Sequence, residues 1–104
     1  MEHIFHVLLP EDWSAAADLE EYEAASLAIE GFIHCSFEGQ VAGVLERYYK
    51  GVDAVILLEI DPTRLTAPLK IEFTATVNQD FPHIFGTINK SAIASVKKMV
   101  LIAP

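Results

Sequence analysis

The sequence has little of what secreted, membrane-spanning or thiolate-metal proteins require. Its single cysteine, Cys35, excludes an internal disulfide and a multi-thiolate zinc site, and it is typical of a reducing cytoplasm. Apolar runs such as residues 55–58 are far too short to cross a bilayer of about 30 Å, and residues 1–3 begin no signal peptide. We therefore expect a cytoplasmic protein without membrane contact.

Positive charge is missing from the first half of the chain. Residues 1–46 contain ten Asp or Glu and no Lys or Arg, whereas the other 58 residues carry five acidic and seven basic side chains. Because tight binding to nucleic acid needs clustered Lys and Arg, extended nucleic acid is not an expected partner. A small phosphorylated ligand stays compatible with the sequence, since oriented backbone N–H groups and one imidazole can hold it.

Length and composition predict one globular domain over residues 1–104, with 52% apolar residues and only five glycines and five prolines. Hydrophobic periodicity predicts a mixed α+β fold with two or three short helices. The predicted helical segments are 10–18, 27–30 and 38–50, and the predicted strands are 3–9, 32–36, 54–60, 69–77 and 95–102. A helix is the alternative for the last segment. Residues 20–25 are predicted to be an exposed connection and residues 78–86 a loop.

Local signals place the ends and faces of these elements. Ser26 and Ser36 are predicted helix caps, and Gly31 is the predicted end of the helical turn between them. Asn89 is predicted to cap a turn that runs to residue 93. Alternation in the strand 69–77 predicts that Ile71 and the other odd-numbered apolar residues face inward, while Lys70, Glu72, Thr74 and Thr76 face solvent.

The densest polar signal surrounds the strand 32–36, which follows Ser26 and Glu30. An imidazole and a hydroxyl at i and i+2, His34 and Ser36, project from the same face and could bind one ligand. The structural alternative is that His34 hydrogen-bonds a backbone carbonyl and Ser36 only caps a helix. Cys35 projects from the opposite face, so we expect it to be buried and inert.

Two further histidines are candidates. His6 lies between Ile4 and Leu8 on an apolar face, where an imidazole must find a partner in the protein or in a ligand. His83 lies in an aromatic segment with Phe85, which either walls a pocket or folds over the core as a lid. Three imidazoles could hold a catalytic zinc, but no local pair of metal-ligand spacing exists, and no metal site is predicted.

Several segments carry a family resemblance: residues 4–6, Trp13, 25–27, 30–36, 57–61, 81–86 and Asn89. Together they resemble a small bacterial and plant family known as domain of unknown function 952, over nearly the whole chain. No activity is established for that family, so the resemblance implies a fold and not a reaction.

That family in turn remotely resembles the ADP-ribosyltransferase superfamily, which includes RNA 2′-phosphotransferases that use NAD. The resemblance implies an ADP-ribosyltransferase-like sheet and NAD or ADP-ribose as candidate ligands. It implies that His6 bonds a ribose hydroxyl and that His34 and Ser36 line the nicotinamide-ribose side. The superfamily's late Glu has no counterpart beyond Glu72, and the segment from His83 to Asn89 occupies its approximate place.

The sequence therefore predicts a cleft that binds a small nucleotide-like ligand, and we place binding before catalysis. His34 and His83 are the candidate acid–base residues, and the candidate binding residues are His6, Ser26, Glu30, Ser36, Phe85 and Asn89. A non-catalytic module for a metabolite or peptide is the alternative, followed by a histidine-dependent metal hydrolase. All of these hypotheses need His6, His34 and His83 to meet around one cavity. Oligomeric state is not predicted.

Overall fold

A computed structural model describes residues 1–102, which form eight strands and three short helices, with all three helices in the first half of the chain. The helices are α1 Pro10–Ala15, α2 Ala25–Glu30 and α3 Val41–Tyr48. The strands are β1 Ile4–Leu8, β2 Glu21–Tyr22, β3 Ile33–His34, β4 Ala54–Ile60, β5 Leu69–Thr74, β6 Gln79–Ile84, β7 Ile88–Asn89 and β8 Ile93–Val100. The predicted mixed α+β fold is confirmed. Among the described helices, none has the length and apolar character needed to cross a membrane.

Two three-stranded antiparallel sheets form the framework, in the orders β1-β4-β8 and β3-β6-β5, and β2 pairs with β7. The two larger sheets meet where Phe5 and Ser36 exchange two backbone hydrogen bonds, with N–O distances of 2.8 and 2.7 Å. Phe5 is adjacent to His6 in the sequence, and Ser36 follows His34 by two residues. This single bridge therefore brings β1 and its His6 against the β3 segment that carries His34.

The core lies between the sheets and is built from strands that are apolar on both faces. All five residues of β1 are buried, and Ile4, Ile33, Leu58, Ile60 and Ile84 have no exposed surface. Each such side chain contributes roughly 1.5–3 kcal/mol through its removal from water. The prediction that β4 is a central strand is confirmed, since it pairs with β1 on one side and β8 on the other.

The helix-cap predictions need correction. Gly31 ends α2 as predicted, in the left-handed conformation with φ of 87°. Ser26, however, lies inside the first turn of α2, whose N-cap is Ala24 without a side-chain bond. Ser36 is not a cap either, because the helical segment begins after Phe37, whose N–H donates to the side chain of Gln40 at 2.9 Å. That segment starts as a 3-10 turn, 38–40, before α3.

From Ile71 to Thr74 the two faces of β5 are reversed relative to the prediction, whereas Leu69 is half-buried and Lys70 is exposed, as predicted. Ile71 and Phe73 are 45% and 62% exposed, while Glu72 and Thr74 are partly buried on the side of β6. β5 is an edge strand, and its polar face is drawn inward by the bond between Glu72 and His83. The alternating pattern thus predicted the strand correctly, but which face is buried depends on the neighbouring strand β6, which carries His83.

The predicted loop 78–86 is wrong, because β6 occupies residues 79–84 and is the middle strand of its sheet. Pro82 suggested a loop, since proline cannot donate to a sheet ladder. Here Pro82 contributes only its carbonyl, which accepts from the N–H of Cys35 at 3.0 Å. The predicted exposed connection 20–25 also fails, because it contains β2 and the buried Tyr22. The final strand is confirmed and begins at Ile93.

Candidate functional site

One cleft of about 570 Å³ collects the candidate histidines at the junction of the two sheets. Six of the eight residues proposed from the sequence line it, and they are His6, Ser26, Glu30, His34, Ser36 and His83. Phe85 and Asn89 do not line it. Residues from β1, α2, β3 and β6 thus share one hollow although they are far apart in sequence.

His6 lines this cleft and carries a buried hydrogen-bond acceptor with no partner among residues 1–102. Its Nδ1 lies 2.7 Å from the backbone carbonyl oxygen of His34, and since a carbonyl only accepts, Nδ1 must donate its proton. In the neutral ring Nε2 is then an acceptor, and it is buried with no partner among residues 1–102. Burial lowers the pKa of His6 from 6.5 to about 4, so the ring is neutral near pH 7.

His83 is held by a carboxylate and an aromatic ring. Its Nδ1 donates to Oε1 of Glu72 at 2.8 Å, while the His83 side chain itself is only 8% exposed. The ring of Phe32 stacks on the imidazole with centroids 4.1 Å apart and an interplanar angle of 18°. These two contacts fix the orientation of the ring and leave Nε2 as the nitrogen that a molecule in the cleft could reach.

His34 forms a second imidazole–carboxylate pair next to the first. It is the register partner of His83 across β3 and β6, and the two rings lie 5.4 Å apart at 81°. Its Nε2 donates to Oε2 of Glu30, four residues earlier, and both side chains are partly exposed. The cleft therefore holds two neighbouring imidazoles, each oriented by its own carboxylate.

Sequence reasoning did not find Glu72 as a site residue, because it was assigned to the solvent face of its strand. Glu72 pairs with Phe81 in the β5–β6 register, which sets it diagonal to His83 on the same face of the hairpin. If residues 79–84 had been assigned to a strand, the pairing with β5 would have placed the two side chains together. The missing signal was therefore the strand character of β6, which Pro82 obscured.

Three tyrosines were also missed, and they form part of the cleft wall: Tyr22, Tyr48 and Tyr49. The ring of Tyr22 lies 5.5 Å from that of His6. Burial, and after it the charge of Asp12, raises the pKa of Tyr22 to about 12, and the same causes raise the pKa of Tyr49. Both phenols are therefore neutral near pH 7, and the hydroxyl of Tyr49 donates to the carbonyl of Val7 at 3.1 Å.

Phe85 and Asn89 have structural surroundings outside the cleft. The ring of Phe85 lies 5.4 Å from that of Phe32, and the ammonium of Lys70 sits 4.9 Å from its centroid. The buried amide of Asn89 instead bonds the loop after β4: its oxygen accepts from the N–H of Thr66 at 3.1 Å, and its nitrogen donates to the carbonyl of Arg64 at 3.0 Å. Asn89 precedes a 3-10 turn, 90–92, but forms no side-chain cap.

The described residues provide neither an accessible thiol nor a group of metal ligands. Cys35 is 3% exposed, as expected, and burial raises the pKa of its thiol. Across residues 1–102 no three His, Cys, Asp or Glu side chains are grouped so as to hold a metal ion. The three cleft histidines are thus arranged for hydrogen bonding rather than as a common ligand set.

A second hollow of about 790 Å³ adjoins the cleft and shares Asp12, Tyr22 and Ala25 with it. Its wall is dominated by the acidic connection after α1, including Asp18, Glu21 and Glu23. None of the eight residues proposed from the sequence lines it.

Comparison with known proteins places the chain in a family. The sequence model of a family described as protein of unknown function, DUF952, matches residues 7–96. The chain belongs to the DUF952 family. This DUF952 chain is similar to protein CC0527 of Caulobacter crescentus, whose crystal structure gives a TM-score of 0.86 at 25% identity, over 97% of this chain and 89% of that one.

The solution NMR structure of CC0527 gives the same picture, with a TM-score of 0.83 at 26% identity, over 99% of this chain and 89% of that one. No curated protein sequence matches the chain. The expected membership of the DUF952 family is thereby confirmed, and so is a fold shared along nearly the full length of both chains.

Proposed function

We propose that the cleft binds the nucleoside portion of a small nucleotide-like ligand, of the NAD or ADP-ribose class, with a ribose hydroxyl donating to Nε2 of His6. The observation that carries this proposal is the buried, unpartnered Nε2 of His6 in a residue that lines the cleft. A buried acceptor without a partner costs about 1–3 kcal/mol, which a ligand donor recovers on binding.

The chemistry of the wall supports a sugar hydroxyl as that donor. The ring of His6 is neutral, so it offers an uncharged acceptor and no cation for an anionic ligand group. The hydroxyl residues Ser26 and Ser36 line the same cleft, and tyrosine rings supply aromatic surface for a base. The resemblance of the histidine segments to the ADP-ribosyltransferase superfamily adds support for a ribosyl ligand.

Acid–base catalysis by His34 and His83 is the second candidate function. What favours it is the pairing of each imidazole with a carboxylate, Glu30 and Glu72, with the two rings 5.4 Å apart. Such rings could act on two atoms of one bound ligand, one as acid and the other as base. Single-turnover incubation with NAD separates the candidates, because a non-catalytic binding module releases no nicotinamide.

Isothermal calorimetry with NAD, ADP-ribose and adenosine tests the binding proposal. We expect at least one of these compounds to bind, and the variant His6→Phe to weaken its binding about tenfold or more, since one buried hydrogen bond of about 1.4 kcal/mol is lost. The variant keeps a ring of similar size but has no acceptor. His3→Gln is the matched control, because His3 pairs with Glu59 and does not line the cleft.

A second arm uses the unaltered protein, so that misfolding of the His6 variant cannot decide the result. The donor to Nε2 must be the 2′- or 3′-hydroxyl, because the 5′-oxygen of the adenosine is esterified in NAD and ADP-ribose. If adenosine binds, either 2′-deoxyadenosine or 3′-deoxyadenosine must therefore bind less tightly. The proposal is wrong if none of the compounds binds at millimolar concentration. It is equally wrong if both deoxynucleosides and the His6 variant retain full affinity.

A further inference from the structure

The charges around the cleft affect the affinity for phosphorylated and unphosphorylated ligands differently. Its wall carries the carboxylates of Asp12 and Glu30. Glu30 is bonded to His34, and Glu72, behind the wall, is bonded to His83. Within residues 1–102, no Lys or Arg side chain lines it. The imidazole that offers its open nitrogen is the neutral His6, which contributes no compensating positive charge.

We infer that the cleft selects an uncharged or cationic nucleoside over its phosphorylated forms, so that a ligand's phosphate groups oppose binding. This inference rests on the proposed function and narrows its ligand class. The unpartnered Nε2 of His6 requires a hydrogen-bond donor, and a phosphate oxygen at neutral pH offers only acceptors. A sugar hydroxyl or a protonated amine meets that requirement.

The carboxylates act on a ligand at short range because they belong to the wall itself. A charged group of a ligand that contacts this wall near Asp12 or Glu30 lies within the Debye length of about 10 Å at 0.1 M salt. Phosphate monoesters carry nearly two negative charges at pH 7. Repulsion between these charges and the carboxylates therefore weakens the binding of a ligand whose phosphate lies near the carboxylates.

The test is a series of adenosine compounds that differ only at the 5′ position, measured by calorimetry at pH 7. Adenosine is neutral there, AMP carries a phosphate, and 5′-amino-5′-deoxyadenosine carries an ammonium. We expect AMP to bind about tenfold or more weakly than adenosine, and the amine to bind at least as tightly. The gap between AMP and adenosine should narrow as salt is raised.

A charge-removing variant identifies the source of the repulsion. Asp12→Asn is expected to raise the affinity for AMP severalfold and to leave that for adenosine nearly unchanged. Glu11→Gln is the matched control, because Glu11 precedes Asp12 in the first turn of α1 but does not line the cleft. It removes the same charge from a position outside the cleft, so it should change the ratio of the two affinities less than Asp12→Asn does.

The possible outcomes separate this inference from the proposed function. If AMP or ADP-ribose binds more tightly than adenosine, the selection against phosphate is wrong, while the ribosyl site at His6 stands. If AMP and adenosine bind equally and salt has no effect, the selection is also wrong. If none of the three adenosine compounds binds, and ADP-ribose and NAD do not bind either, both the proposed function and this inference are wrong.

Discussion

The side chain of His6 is bonded to the backbone of His34, 28 positions away, with 2.7 Å between Nδ1 and the carbonyl oxygen. This contact adds a side-chain bond to the Phe5–Ser36 bridge between the two sheets, and it sets the tautomer of the imidazole. Because the carbonyl accepts the Nδ1 proton, Nε2 is left as an acceptor inside a buried environment. The ligand chemistry proposed for this protein follows from that arrangement.

The first prediction concerns stability in mild acid. The pKa of His6 is 6.5 when unfolded and about 4 when folded, so between these values the unfolded chain binds a proton that the folded chain does not. The contribution of His6 is complete above pH 6.5 and is lost as the pH falls toward 4. The free energy of unfolding, measured by urea titration, should decline with a slope from His6 approaching 1.4 kcal/mol per pH unit.

A comparison of two histidine variants tests whether His6 causes that decline in stability. His6→Phe should flatten the dependence of stability on pH between 5 and 6.5, whereas His3→Gln should retain it. The hydrogen bond from His3 lowers the pKa of Glu59, an effect that acts below the unfolded value of 4.5 and so lies outside this window. An unchanged slope in His6→Phe would show that the imidazole is protonated in the folded protein.

The second prediction concerns the tautomer of His83. Because Glu72 accepts from Nδ1, nitrogen NMR of the neutral ring should show the proton on Nδ1 in the unaltered protein. Glu72→Ala should shift the population toward the Nε2–H tautomer. Stability should change by less than about 1 kcal/mol, since Glu72 is 43% exposed. Glu59→Ala is the control, because it removes the partner of His3 and leaves His83 untouched.

The third prediction concerns the turn that sets Glu30 next to His34. Gly31 has φ of 87° and open space where a Cβ would stand, so Gly31→Ala introduces backbone strain without a clash. We expect a loss of roughly 1 kcal/mol in the free energy of unfolding. Gly39→Ala also meets open space and has no positive φ, so it should change stability by less than about 0.5 kcal/mol. Equal losses in both variants would contradict the assignment of strain to Gly31.

The fourth prediction concerns the thiol. Cys35 is buried, and burial raises its pKa, so little thiolate is present in the folded protein near pH 7. Iodoacetamide should therefore leave the native protein unlabelled over the time in which the urea-unfolded chain reacts fully. Because Cys35 is the only cysteine, the mass shift has one source. Rapid labelling of the native protein would contradict the buried position.

Several features of the fold could be predicted because their signals are local. The apolar stretch of β4 predicts a strand covered on both faces, and Gly31 predicts the end of α2. Both signals depend on residues adjacent in sequence, whose local conformational preferences act in whatever fold the chain adopts. The buried state of Cys35 followed in the same way from alternation along one strand.

Features that depend on pairing between distant segments could not be predicted. Pro82 made β6 resemble a loop, because proline has no N–H for a sheet. The sequence does not show that β3 needs only the carbonyl of Pro82, which accepts from the N–H of Cys35. Glu72 was assigned to solvent because the pattern of β5 gives an alternation and not the side on which the partner lies. Phe85 was placed in the site because its aromatic segment could wall a pocket, and Asn89 because of its order in the chain. The structure puts both outside the cleft lining.

By itself the sequence determined that the chain is an α+β domain with an acidic first half, and which side chains could bind or transfer protons. These properties follow from composition and local periodicity. Only the tertiary structure decided that three histidines from β1, β3 and β6 share one cleft, and that His6 keeps an open acceptor there. The reason is physical: which atom of a polar side chain stays free depends on the partner that the fold brings to its other atoms.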